Sequence, residues 1–266
     1  MKTRQFQLKI AANHAKDICR HKGVIGVMFL DKPTLDKYDD IDMVVFVRGD
    51  SNVKRGESVI EGFDVDVSVM DYSYAREAEW HQETRSAFEN AVILYDKGNK
   101  IKNLLKEKIV FPEEERRDII VSSMFQLMWM GIYDSHRWAD YKIPYYPHNV
   151  WVKREGVPSA DAVINSGMDL LLDMLYAFNK RFIPDDRWKL CNSYKLKWLP
   201  ADYKEKMKDL LLVRSMNEKD FERRYKIFRA LLKASIDKFE KENVLPKRMY
   251  HHFLKHDSFY SLRPEL

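Results

Sequence analysis

Asp40-Ile41-Asp42 runs without a break into Met43-Val44-Val45-Phe46-Val47. An apolar run of this kind fits a strand with little exposure to water. On a strand, residues i and i+2 point to the same face, so both carboxylates project from one side of it. A second alternation follows at Phe63-Asp64-Val65-Asp66-Val67-Ser68-Val69, and a neighbouring strand there would add a third acid. An ionised carboxylate rarely enters a buried strand without a partner. Two aligned carboxylates repel each other unless a cation lies between them, and hard oxygen ligands suit Mg²⁺. Three acids converging from two strands make a metal site suited to phosphoryl or nucleotidyl chemistry. The plainer alternative is a turn at Asp39-Asp40 whose acids are solvated.

The hydrophobic period changes along the chain, and the change sets the expected architecture. Residues 3–22 carry Phe6, Ile10, Ala11, His14, Ala15 and Ile18 at helical spacing, and Gly23 is a stop signal. Val24–Leu30 reads as a buried strand containing Gly26, and Asp42–Val47 as the next strand. Gly49-Asp50-Ser51-Asn52 is turn chemistry. Val59-Ile60, Phe63–Met70 and Val92–Tyr95 are further strands, with a polar helix over 72–89 and a turn at Asp96-Lys97-Gly98-Asn99.

Beyond residue 100 the pattern is helical: Ile119–Ile132, Asp169–Phe182, Tyr203–Arg214 and Asn217–Lys241. The Met- and aromatic-rich stretch 124–133 reads as core. Segment 140–167 has Pro144, Pro147 and Pro158 and no evident period, so it reads as a long loop of the kind that often carries function. The expected fold is α+β: a mixed sheet with helices over 1–100, then a helical bundle over 101–266.

Composition narrows the class. The chain has 266 residues, 45% of them apolar, and a formal net charge of +5. That describes a globular protein with an ample core. The mild basic excess permits a polyanionic ligand without requiring one. Cys19 and Cys191 are isolated, which excludes a disulfide framework or a Cys-type metal site. Met1–Lys9 is polar and basic, unlike a secretion signal, and no apolar run is long enough to span a membrane. The expected location is cytoplasmic.

With these residues in hand, the chain resembles the nucleotidyltransferase superfamily, which includes aminoglycoside, lincosamide and minimal nucleotidyltransferases. Its hallmark is an Asp-x-Asp opening a strand, with a third acid on a nearby strand. Asp40 and Asp42 match the pair. Asp66 is the best match to the third, with Asp64 as its rival on the same face. Val92–Gly98 looks like the end of that domain in antibiotic-modifying members. Phe178–Pro184 and Arg187-Trp188-Lys189 look like a helical domain found behind it. One element departs. The family's phosphate-holding Gly-Ser precedes the acids, and here that region reads Gly26-Val27-Met28-Phe29-Leu30-Asp31.

The resemblance implies transfer of a nucleoside monophosphate from an NTP such as ATP to a hydroxyl of a small-molecule acceptor. It implies two Mg²⁺ ions held by Asp40, Asp42 and Asp66, with Asp66 also either lowering the pKa of the acceptor hydroxyl or accepting its proton. Lys32 and Arg48 are candidate phosphate contacts. Asp134, Glu155, Tyr141, Tyr145, Tyr146 and Trp151 are candidates for the acceptor side. His136, His148, His251 and His252 have no zinc spacing. Two alternatives stand beside this reading. One is a catalytically degenerate protein of the same fold that binds nucleotide or metal. The other is an RNA-acting or toxin–antitoxin nucleotidyltransferase, although no basic stripe interleaved with aromatics calls for nucleic acid. Lys180, Arg181, Arg187 and Lys189 form a short basic cluster that reads as a solvated helix end.

Overall fold

The structure is a computed structural model and describes residues 2–30, 40–130 and 149–245. The chain divides into two compact units, with the division between Val110 and Phe111.

The first unit is built on a five-stranded sheet in the order β3-β4-β2-β1-β5. Helix α1 (Lys2–Ile18) leads into β1 (Val24–Phe29), β2 (Ile41–Val47), β3 (Gly56–Ile60) and β4 (Phe63–Asp71). Gly23, at φ 86°, makes the turn into β1, and its carbonyl accepts the Arg48 N–H at 2.8 Å. Strands β3 and β4 form a hairpin closed by Glu61 and Gly62, at φ 52° and 82°. Two residues of positive φ suit the right-handed twist of the strands they join. Strand β2 is antiparallel to β1 but parallel to β4, so the sheet is mixed.

The alternation of β2 divides the core in two. Ile41, Met43, Val45 and Val47 face α1, joined by Ile10, Ala11, Ala15, Ile18, Val65 and Val67. Val44 and Phe46 face the other way, against Ala75, Trp80, Phe88, Ile101 and Leu104. Those come from α2 (Tyr72–Glu77), the link that carries Trp80, α3 (Gln82–Phe88) and α4 (Lys100–Lys108), with β5 (Val92–Asp96) between α3 and the turn into α4. The expected turn at 96–99 is present. Gly98 and Asn99 take positive φ, and the Asp96 carboxylate caps α4 by accepting from the N–H groups of Ile101 and Lys102 at 3.0 and 2.9 Å.

Helix α4 belongs to the sheet unit, which moves the division past the expected boundary at residue 100. Ile101 and Leu104 are core residues of the sheet. Lys108 Nζ donates to the Ala78 carbonyl at 3.0 Å, and Arg85 donates to the Val110 carbonyl at 3.2 Å.

The second unit holds α5 (Glu113–Trp129), α6 (Asn149–Glu155), α7 (Val157–Phe178), α8 (Asp186–Ser193), α9 (Tyr203–Leu211) and α10 (Glu218–Lys241). Its core runs through Ile120, Met124, Leu127, Leu171, Leu175, Phe228, Leu231 and Phe239.

The long loop expected over 140–167 is overturned for its described part, because 149–155 and 157–178 are helices. Gly156 at φ 82° breaks the chain between them, and Pro158 occupies the first turn of α7, where its missing N–H costs nothing. The buried stripe of α7 includes Ala160, Asp161 and Gly167; small and charged members hid its helical period. At its far end α7 stops at Phe178, short of the expected Phe182. Asn179 ends it by donating to the carbonyls of Leu175 and Trp198 and accepting the Trp198 N–H at 2.7 Å.

Candidate functional site

Asp42 and Asp66 are register partners on the parallel strands β2 and β4. Paired residues share a sheet face, and neighbouring strands lie about 4.8 Å apart. Both acids fall on the face of Val44 and Phe46, at the end of the sheet away from the β4–α2 junction. Both are half-buried. Asp40 directly precedes β2 and is also half-buried. Asp64 lies one alternation nearer the hairpin and is exposed. Alternation alone left Asp64 and Asp66 equivalent; register sets Asp66 beside Asp42. The ladder begins at Ile41 and Val65, so Asp40 and Asp64 are the residues just before it on the two strands.

Sequence reading missed a further acid in this row. Glu57, on β3, is the register partner of Asp66 and is exposed. Glu57, Asp66 and Asp42 thus stand on three adjacent strands at one level. Nothing in the sequence marked Glu57, because its level depends on the hairpin register. Among the described residues, no group of three or more His, Cys, Asp or Glu side chains is gathered closely enough to hold a metal ion. The backbone aligns the acids at one level of the sheet.

The other expected site residues fall in different places. Arg48 follows β2 and is exposed. Six strand residues beyond Asp42, at about 3.3 Å each, put it about 20 Å away along the strand, so the structure does not bring it to the acids. Lys32 lies outside the described residues, as do Asp134, His136, Tyr141, Tyr145, Tyr146, His148, His251 and His252. Trp151 anchors α6 to the bundle by donating its indole N–H to the Met130 carbonyl at 2.8 Å. Glu155 is an exposed residue at the end of α6.

Where the family pattern has Gly-Ser, this chain has packed strand. Val27, Met28 and Phe29 are each 0% exposed. Gly26 serves packing: a Cβ built there would lie 2.1 Å from Ile101 Cγ1. It is a glycine because α4 crosses β1 at that point. The Leu30 N–H donates to the Asp42 carbonyl at 2.9 Å, continuing the β1–β2 pairing up to the level of the acids.

In the basic cluster at 180–189, Lys180, Arg181 and Arg187 are exposed, and the solvated-end reading fails for Lys189. That residue is 4% exposed, and its Nζ lies 2.6 Å from both Asp169 and Asp173. Burial pushes the Asp173 carboxyl up despite the ion pair. Lys180 pairs with Glu113 at 2.9 Å and Arg187 with Asp185 at 2.8 Å.

No family model and no curated protein matches this chain. Among solved structures, it is similar to a nucleotidyltransferase-like protein from Exiguobacterium sibiricum, at 13% identity and a TM-score of 0.41. The match covers 88% of this chain and 75% of that one. Among the described residues, no helix is long and apolar enough to cross a membrane.

Proposed function

We propose that this chain is a nucleotidyltransferase that moves a nucleoside monophosphate from an NTP to a hydroxyl of a small-molecule acceptor, with Mg²⁺ at Asp40, Asp42 and Asp66. The observation that supports it is the register of Asp42 with Asp66 at the open end of two parallel strands. The donor set fits the ion. Mg²⁺ usually takes one or two protein carboxylates and completes its octahedron with water and substrate phosphate. A half-buried carboxylate pair in register suffices for that, without a closed cage. Mg²⁺ bound there would stabilise the attacking and leaving oxygens of the transfer together.

In this reading Asp40 and Asp42 orient the triphosphate, and Asp66 accepts the proton of the acceptor hydroxyl as pyrophosphate leaves. Glu57 extends the negative row toward the sheet edge and favours an acceptor that carries positive charge.

A second reading, nucleotide or metal binding without transfer, has its own support. Gly26 is committed to Ile101, and Val27 to Phe29 are buried, so that stretch offers no open backbone cradle for phosphate.

The test is a thermal-shift panel of the four NTPs with and without Mg²⁺, run beside a pyrophosphate-release assay over a set of hydroxylated amines. Stabilisation that requires both NTP and Mg²⁺, with pyrophosphate released, supports transfer. Stabilisation without release selects the binding-only reading. No shift with any NTP and Mg²⁺ sinks both.

A further inference from the structure

A cation accompanies Glu57 at the edge of the sheet. Arg55 lies two residues before it, just outside β3, and both are exposed. Two residues of chain span at most about 7 Å, which two long side chains can bridge. Among the described residues, neither side chain makes a hydrogen bond or an ion pair. Gly56 separates them at φ 140°, a conformation that favours glycine and takes Arg55 off the line of the strand. A Cβ built on Gly56 meets nothing within 4 Å, so this glycine serves the backbone and not packing. On its other side, Glu57 is the register partner of Asp66. The order along this edge is therefore Asp66, Glu57, Arg55: two acids and then a cation.

Granted the transfer proposed above, on which this rests, we propose that the acceptor is a hydroxylated zwitterion, an amino acid whose side chain carries the hydroxyl. Glu57 takes its ammonium group and Arg55 its carboxylate. Charge selects this class. An acceptor bearing only an amine would leave Arg55 beside a like charge. One bearing only a carboxylate would face Glu57 and the acids behind it. A ligand with both charges on one carbon satisfies both side chains, and the planar fork of Arg matches a carboxylate with two parallel hydrogen bonds. Spacing agrees. Asp66 and Glu57 stand on neighbouring strands about 4.8 Å apart, which suits a hydroxyl and an ammonium linked through three carbons, as in homoserine.

The test titrates the full chain, with NTP and Mg²⁺ present, with homoserine and its two fragments. Aminopropanol with a group at each end lacks the carboxylate, and γ-hydroxybutyrate lacks the amine. Binding is read from the melting temperature and turnover from pyrophosphate release. Wild type should bind homoserine more tightly than either fragment. Arg55→Ala should weaken homoserine about fivefold, the upper worth of one exposed ion pair, without weakening aminopropanol. Arg55→Lys should keep most of the preference. Glu57→Gln should weaken homoserine and aminopropanol, but not γ-hydroxybutyrate. Lys54→Ala, which removes an exposed charge one residue farther away, should preserve the order of the three ligands. Homoserine bound no better than its fragments overturns the proposal, as does a preference that survives Arg55→Ala or is lost equally in Lys54→Ala. In each of those cases stabilisation by NTP and Mg²⁺ would leave the nucleotide site standing. Absence of that stabilisation in wild type removes both.

Discussion

In the helical unit, Arg224 is 2% exposed and fully engaged. It pairs with Asp161, donates to the Leu210 carbonyl at 2.6 Å and reaches Asn165 at 3.1 Å. In the sheet unit, Asp66 is half-buried beside Asp42, yet no described residue hydrogen-bonds or ion-pairs with its carboxylate. Lys189 repeats the first pattern with Asp169 and Asp173. A charge kept for structure is matched locally, because an unpaired buried ion costs several kcal/mol. A charge aligned with a like charge, half open to water, costs stability and needs another source of selection. This contrast is the physical reason to place function at the sheet end and architecture in the bundle.

The largest expected effect breaks the contrast if it fails. Asp42→Asn and Asp66→Asn should each abolish any Mg²⁺-dependent stabilisation by NTP. Asp66→Asn should also hold the melting temperature without ligand, since no described side chain is matched to the Asp66 carboxylate and the amide keeps its size. A fall in that melting temperature would assign Asp66 a structural role and remove the contrast.

Arg224→Ala should act in the opposite sense. It strands Asp161 in the bundle and should cost roughly 3–5 kcal/mol, as removal of one partner of a buried pair does. Urea unfolding followed by tryptophan fluorescence measures it, and a loss comparable to that of a surface ion pair would refute the claim that Arg224 is essential to the core.

Gly26→Ala probes the packing that replaced a phosphate cradle. Its methyl group would overlap Ile101, and overpacking of this kind costs about 1–3 kcal/mol. The double variant with Ile101→Val should recover part of that loss. If Gly26→Ala is neutral, the glycine is not held by α4, and the second functional reading loses its support.

The smallest effects are in pH dependence, and the helical unit supplies both signs. Asp220 is held below the usual carboxylate range, first by the Arg223 hydrogen bond and further by the backbone N–H groups of Arg214 and Ser215. Its contribution is present above the ordinary value of 3.8 and is lost as pH falls through the depressed one. Asp173 is raised by burial, so ionising it costs stability as pH climbs from 3.8 through the raised value. As pH rises from 3.8 through the raised value, Asp173→Asn should therefore gain melting temperature relative to wild type. Asp220→Asn should lose it relative to wild type over its own, lower window. Parallel curves for wild type and Asp173→Asn would show that Lys189 fully offsets the burial of Asp173.

Periodicity alone made most of the elements legible. The strands at 24–29, 41–47, 63–71 and 92–96 and the last two helices stand where apolar spacing put them. The turn at Asp96–Asn99 was written in its Gly and Asn. The α7 stripe was not legible, because Ala160, Asp161 and Gly167 are not apolar enough to mark a face; they are buried because neighbouring helices approach closely and Arg224 neutralises Asp161.

The acids themselves were legible. Their company was not. Which of Asp64 and Asp66 stands beside Asp42, and that Glu57 joins the row, follow from the parallel β2–β4 and antiparallel β3–β4 registers. Spacing along one strand is a local property of the chain, and the sequence determines it by itself. Register between strands is decided by how two cores close on opposite faces of one sheet, and only the tertiary structure holds that information.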